Sequence, residues 1–143
     1  MIGNFNIRVY GLLFNMNKEV LLTDEIRSGM MMTKFPGGGL EKGEGLIDCL
    51  KREFREELEI EIKHCRHYYT TDFYQKSYFD DSQVISVYYL IESDELGSIS
   101  ISEKALDFKG SDQMFRWLSP DMIEENDLTF PIDRKVLNML KGQ

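Results

Sequence analysis

Positive charge is in short supply in this chain: 17 lysine and arginine residues stand against 25 aspartate and glutamate, a net charge of −8. A surface this acidic has no electrostatic footprint for duplex nucleic acid or an anionic membrane. Long apolar runs are missing too, and no stretch approaches the roughly 20 residues that a membrane helix needs. The opening residues, MIGNFNIRVYGLLF, hold no basic segment ahead of a long apolar one and no small-residue cleavage site, so no secretory signal is expected. Cysteine is scarce. Cys49 and Cys65, sixteen positions apart, fit no metal or redox spacing, and two thiols without a disulfide pattern point to a reducing cytoplasm. Cys49 is expected near acidic side chains that disfavour its thiolate, as a bystander rather than a nucleophile. His64 and His67 make no ligand pair at zinc spacing and read as surface or packing residues. No repeat, low-complexity tract or Pro/Ser-rich linker interrupts the 143 residues, a length suited to one domain, 1–143, around one core.

The patterning predicts an α/β layered domain. Asn6 to Phe14 and Val20 to Thr23 read as strands around a turn at Asn15-Met16-Asn17-Lys18, and Met31 to Phe35 as a third strand ended by Pro36 and three glycines. A long helix is expected from about Gly45 to Leu58. Tyr68 to Tyr74 and Val84 to Ile91 are expected to form a hairpin across the turn-rich Lys76 to Ser82. A weak strand near Ile99-Ile101 and another at Met114 to Leu118 follow. Ser119-Pro120 looks like a helix start, and Phe130 to Leu140 like a closing amphipathic helix. Helices before and after groups of strands suit a layered α/β architecture.

The most informative stretch is GGLEKGEGLIDCLKREFREELEI, from Gly38 to Ile60. At about 100° per residue, Glu53, Glu56 and Glu57 fall within an arc of roughly 100°. Ile47, Leu50, Phe54 and Leu58 gather in a narrower stripe expected to face the core. Three carboxylates on one wall repel each other unless something positive sits among them, and a hard divalent cation such as Mg²⁺ is the natural neutraliser. Arg52, four residues before Glu56, can hold a carboxylate with its planar fork. Glu44 sits at the helix entry, where the positive end of the helix favours an acid. The glycines at 37 to 39 let backbone polar groups approach a ligand closely, but no Gly-Lys-Ser/Thr follows, so they form no P-loop.

This stretch resembles the signature of the Nudix (MutT-like) hydrolases, G-x5-E-x7-R-E-U-x-E-E-x-G-U with U bulky and aliphatic. Gly38, Glu44, Arg52, Glu53, Glu56 and Glu57 match, Phe54 and Ile60 fill the two U positions, and Glu59 stands where the family has glycine. The resemblance implies an α/β/α sandwich around a mixed sheet, with the signature as a loop–helix–loop. It implies Mg²⁺ (or Mn²⁺ in its place) and cleavage of a diphosphate linkage. Glu56 and Glu57 are then metal ligands, Glu53 a general base or further ligand, and Arg52 the residue that orients the glutamates. Glu44 supports the site, and a backbone carbonyl of Gly37 or Gly38 joins the metal shell. A further acidic ligand often precedes the tryptophan-bearing strand: Asp112 is nearest to Trp117, Asp107 competes, and a plain turn aspartate is the bland reading. Of the aromatics from Tyr68 to Phe79, Tyr74 or Phe79 is the candidate to stack on a base. A glutamate at 59 must either accept a left-handed conformation costing roughly 1–2 kcal/mol or end the helix differently.

On this reading the partner is a small nucleotide, not a nucleic-acid polymer or a membrane. Family members are often homodimers. Nucleoside triphosphates, ADP-ribose and nucleotide sugars all suit the signature, and the similarity of Lys34-Phe35-Pro36-Gly37-Gly38 to small nucleotide-pool cleaners leans toward triphosphates. Two other classes compete: a nucleotide-binding or regulatory module that does not cleave, and an acidic protein-interaction domain. The second explains the charge but not the spacing, and a pure binder has no need of every acidic position.

Overall fold

The computed structural model describes residues 2–142. Its organising element is β1 (Phe5–Leu13), whose alternate side chains enter two different cores. Val9 and Leu13 face one way, Tyr10 and Leu12 the other, as the two-residue period of a strand requires. A strand buried on both faces needs a layer on each side. One layer is α1 (Leu46–Leu58), which supplies Cys49, Leu50, Phe54 and Leu58 to the first core. The other is α2 (Pro131–Lys141), which supplies Ile132, Val136, Leu137 and Leu140 to the second. Gly11 on β1 admits the first helix closely: a Cβ there would lie 2.7 Å from the Phe54 ring and 2.6 Å from Ile91.

β1 pairs in parallel with β6 (Gln83–Glu92), from Phe5 opposite Gln83 to Leu13 opposite Ile91. On its other edge it pairs antiparallel with β4 (Gly37–Gly39), and β5 (His64–Thr70) pairs antiparallel with β6. This mixed sheet runs β4-β1-β6-β5. A second, antiparallel sheet runs β3-β2-β7, with β2 at Val20–Arg27, β3 at Met30–Lys34 and β7 at Gln113–Leu118. The expected sandwich is present, with the strands divided between two sheets rather than held in one. Among the described residues no helix is long and apolar enough to cross a membrane.

A buried ion pair ties β2 to β7. Arg116 donates to Asp24 through Nε at 2.8 Å and Nη2 at 3.0 Å, while the Thr33 hydroxyl donates at 2.6 Å and the Leu106 amide at 2.9 Å. Asp24 is fully buried, so these donors satisfy a charge that would otherwise be costly in the interior. The Leu106 contact also pins the 102–112 connection to the sheet.

Several local expectations change. The aromatic strand expected at Tyr68 to Tyr74 lies earlier, at β5, with a bulge between His67 and Tyr69. The pairing with β6 places His64 opposite Glu92, and the chain leaves the sheet after Thr70. Ile99-Ile101 is not a strand. A 3-10 turn at Leu96–Ser98 precedes it, Ile99 is buried in the first core, and only Ile101 makes a single bridge, to Phe115. After Ser119 comes one 3-10 turn, Pro120–Met122, and the serine side chain makes no capping bond. Ile47 is 39% exposed and lies outside the apolar stripe, where Cys49 takes a core position instead. The glycine run that follows Pro36 is the edge strand β4.

Glu59 accepts the conformation that the family assigns to glycine. It caps α1 at φ 56° and ψ 36°, with its amide bonded to the Arg55 carbonyl at 3.1 Å. The helix therefore ends in the usual left-handed way with an unfavourable residue. Glu59→Gly should stabilise the domain by about 1 kcal/mol, read as a higher urea midpoint. An unchanged or lower midpoint would mean that the left-handed cap carries no strain.

Candidate active site

Arg52 lies at the centre of the signature. Its Nε donates to Glu44 Oε2 at 3.0 Å and its Nη2 to Glu44 Oε1 at 2.8 Å, a two-pronged grip across the loop that leads into α1. Nη2 also donates to the Gly39 carbonyl at 3.0 Å, fastening β4 to the helix. Nη1 turns to the helix face, reaching Glu53 at 3.1 Å and Glu56 at 3.3 Å. One guanidinium thus contacts three of the signature acids. Its hydrogen bonds hold the Glu44 carboxyl down at about 2 and raise the pKa of Arg52 itself.

Glu53 lies against the glycine strand. A Cβ at Gly38 would sit 2.3 Å from the Glu53 carboxylate, so no larger residue can occupy that position while Glu53 keeps its place. Glu57 is half-buried, and burial pushes its carboxyl up to about 7. Glu25 and Glu53 add to the rise, while Lys34 and Gln113 oppose it. Glu56 is the most exposed of the three, its side chain 61% accessible and drawn toward Arg52. Cys49 fills the gap between the helix and β4. Burial first, and then the Glu44 charge, push its thiol up to about 12, and an un-ionised thiol there is no nucleophile.

The second sheet contributes residues that the signature does not contain. Lys34 is buried and pairs with Glu25 at 3.1 Å. Burial works against its charge, but Glu25, Tyr10 and Glu57 together raise its pKa. The Gln113 amide donates to Glu25 at 3.1 Å and to Thr23 at 3.2 Å. Asp112, the sequence candidate for an extra metal ligand, lies exposed in the turn before β7, where its backbone carbonyl accepts the Ile26 amide at 2.9 Å. Asp107 is half-buried, and its carbonyl lies 3.4 Å from the Ser102 hydroxyl. The acid from the second sheet whose charge acts on Glu57 is Glu25. Glu25 and Lys34 escaped the motif reading because they stand on strands, where a charged residue normally marks the solvent face.

Beside the carboxylates opens a pocket of about 660 Å³, counting space open to solvent, between the mixed sheet, the 75–80 loop and the start of α2. Tyr10, Tyr78, Phe79, Tyr88 and Phe130 are its aromatic walls, and Arg8, Arg27, Lys34 and Lys76 its cations. Phe79 lines the pocket. Tyr74 is not among the lining residues and is 57% exposed. Arg8 and Lys34 join pocket to signature, Arg8 through the field of Glu53 and Lys34 through that of Glu57. Asp133, in the first turn of α2, accepts the Tyr88 hydroxyl at 2.5 Å.

The sequence model of the NUDIX domain family matches residues 4–140. The chain belongs to the Nudix family. Membership makes it a hydrolase of phosphoric anhydride bonds, in a family that generally uses divalent metal cations. No curated protein matches it significantly in sequence. Among solved structures it is similar to a MutT from a study of Aliivibrio salmonicida and Vibrio cholerae, at 21% identity and TM-score 0.70, covering 98% of this chain and 99% of that one. It is also similar to a NUDIX hydrolase from Nitrosomonas europaea (18%, TM-score 0.71, 96% and 88% covered). A MutT NUDIX hydrolase from Burkholderia pseudomallei gives 15%, TM-score 0.70, with 95% and 98% covered. At these identities the likeness is one of fold.

Asp133 leaves a measurable trace on stability. Burial raises its carboxyl from 3.8 to about 6, although the Tyr88 hydroxyl, Lys34 and the Phe35 backbone oppose the rise. The native state therefore binds this proton more tightly than the unfolded chain does. The associated stability is fully present below about pH 4 and is lost as pH climbs through about 6. In urea unfolding, the parent should lose on the order of 2–3 kcal/mol relative to Asp133→Asn over that interval. Parallel pH profiles for the two proteins would show that Asp133 titrates normally.

Proposed function

We propose that the chain is a single-domain, Mg²⁺-dependent pyrophosphohydrolase that cleaves the diphosphate linkage of a nucleoside diphosphate joined to another moiety, with nucleoside triphosphates favoured among the candidates. The observation that carries this reading is the contact between Gly38 and Glu53, with the half-buried Glu57 beside them and a cation-lined aromatic pocket at their edge.

The donor set suits a hard divalent cation. Glu53, Glu56 and Glu57 are oxygen donors on one helix face, and the Gly38 backbone lies against Glu53 without a side chain between. Among the described residues no three acidic, histidine or cysteine side chains are grouped so as to hold a metal ion, so the glutamates would have to turn toward a common point on binding one, with water completing the shell. Glu56, Glu57, Glu53 and the Gly38 carbonyl would hold it, and Asp112 would enter only if the turn before β7 moved. Bound there, the metal supplies Lewis-acid polarisation of the phosphate and a more acidic water.

The protein's own groups do the rest. Arg52 fixes the rotamers of Glu53 and Glu56 through Nη1 and closes the Gly39–Glu44 loop through Nη2 and Nε. In the alternative to ligation, Glu53 would take a proton from the attacking water. Arg8 and Lys34, at the edge of the pocket, oppose the charge of a phosphate chain entering from it. Tyr10, Phe79 and Phe130 offer ring faces to a base. The compartment on this reading is the cytoplasm.

A nucleotide panel assayed with and without Mg²⁺ tests the reading. Glu57→Gln should lower kcat by a factor on the order of 10² or more, and parent-like turnover in that variant would end the assignment. Gly38→Ala, whose Cβ cannot coexist with Glu53 in place, should weaken Mn²⁺ binding at least about tenfold in a titration followed by electron paramagnetic resonance. Retained affinity would show that Glu53 is not a ligand.

A further inference from the structure

The pocket's charge differs from that of the chain around it. It is lined by four cationic residues and two acidic ones, on a protein that carries eight more acids than bases. The acids are already engaged: Asp80 accepts the Ser82 amide at 2.9 Å and hydroxyl at 2.5 Å, and Asp133 accepts the Tyr88 hydroxyl. Lys34 has Glu25 as its counter-ion. Among the described residues, Arg8, Arg27 and Lys76 form no ion pair within 4.0 Å.

These three cations differ in setting. Arg8 donates its Nε to the Tyr10 hydroxyl at 2.7 Å and lies within the field of Glu53 and Glu25, next to the cleavage machinery. Arg27, at the end of β2, lies over the Phe79 ring with its guanidinium carbon 4.2 Å from the centroid. Lys76 donates to the Asp80 carbonyl at 2.8 Å, in the same loop as Phe79. A guanidinium laid on a ring keeps its edge donors free and its fork held in place, the arrangement that suits a phosphate. Phe79 packs in turn against Phe130, ring centroids 6.3 Å apart, which steadies this wall. A neutral nucleoside would occupy the pocket without using either charge.

We propose that Arg27 and Lys76 form an anion subsite for a phosphate group additional to the hydrolysed anhydride, so that the preferred substrate is a nucleotide bearing a further phosphate at its pocket end. The assignment rests on the nucleotide reading of the pocket given above. Two sources supply that chemistry, a monoester on the ribose or an extra phosphate in the chain.

The test compares three substrates with Mg²⁺: a nucleoside diphosphate ester, its counterpart phosphorylated on the ribose, and the homologue one phosphate longer. One of the two phosphate-enriched compounds should exceed the first in kcat/KM by at least about tenfold, the effect of one charge-assisted contact, with the gain in KM. Which of them does so identifies the source. In Arg27→Gln the ratio should collapse toward one, and Lys76→Gln should lower it. Equal kcat/KM for all three, or an undiminished ratio in Arg27→Gln, overturns the proposal. If none is hydrolysed, the hydrolase reading fails by itself, and metal-free calorimetry decides the subsite. A nucleoside 3′,5′-bisphosphate or a 5′-diphosphate should then bind at least about tenfold tighter than the 5′-monophosphate, with the advantage lost in Arg27→Gln. Equal affinities for all three would refute the subsite.

Discussion

The geometry of this site depends on one guanidinium held among more carboxylates than it can neutralise. Arg52 grips Glu44 with two donors, ties down the Gly39 carbonyl, and has one nitrogen left to share between Glu53 and Glu56. Glu57 is not among its hydrogen-bond partners, and burial first, then the charges of Glu25 and Glu53, raise the Glu57 pKa. An arginine suits this role better than a lysine, because a planar fork can bridge a loop, a strand and a helix face at once. A point charge would have to choose among them. The clamp also explains why an acid in the loop matters: without Glu44, Arg52 could settle more fully on the helix acids and compete with any cation for them.

The backbone beside the clamp is as constrained as the side chains. β4 is only three residues long, yet it is paired with β1 opposite Arg8, Val9 and Tyr10. That pairing brings the glycine carbonyls to the helix, while Cys49 fills the space under them. Cys49 is thus a spacer, a small apolar-behaving group where a larger one would push the strand away. β1 carries Arg8 and Tyr10 into the pocket and presents its other face to α1. Pocket and carboxylates are two ends of a site arranged around one strand.

How much of this the sequence disclosed depends on how local the signal was. The signature fixed both the identity and the spacing of Arg52, Glu53, Glu56 and Glu57, because a helix turns spacing into position. Its start and end came out within a residue, Gly45 as cap and Glu59 as left-handed terminus. β5 was misplaced because its exposed stretch, His64, Arg66 and His67, is polar, and aromatic density pulled the expectation toward Tyr74. The Asp24–Arg116 pair and the Glu25–Lys34 pair were illegible: each joins strands whose pairing, not their sequence separation, brings the charges together. Asp112 is the acid nearest to Trp117 along the chain, and proximity along a turn does not decide which way a carboxylate points. The loop that holds Tyr74 and Phe79 exposes the first and folds the second against Phe130, a difference their residue types do not announce.

Lys34 shows why such pairs matter to chemistry. A buried lysine tends to lose its proton, because burial disfavours the charged form. Here Glu25, the Tyr10 ring at 5.3 Å and the field of Glu57 more than offset that tendency. The charge is therefore maintained at the boundary between the pocket's aromatic walls and the carboxylate helix. Glu25 has a second effect, since the negative charge that holds Lys34 also raises Glu57. The two act as a dipole across the second sheet, positive toward the pocket and negative toward α1. On the proposed reading, a phosphate chain entering from the pocket would meet Lys34 and Arg8 before Glu53 and Glu57, an order that would let an anionic substrate approach a wall of acids that otherwise repels it.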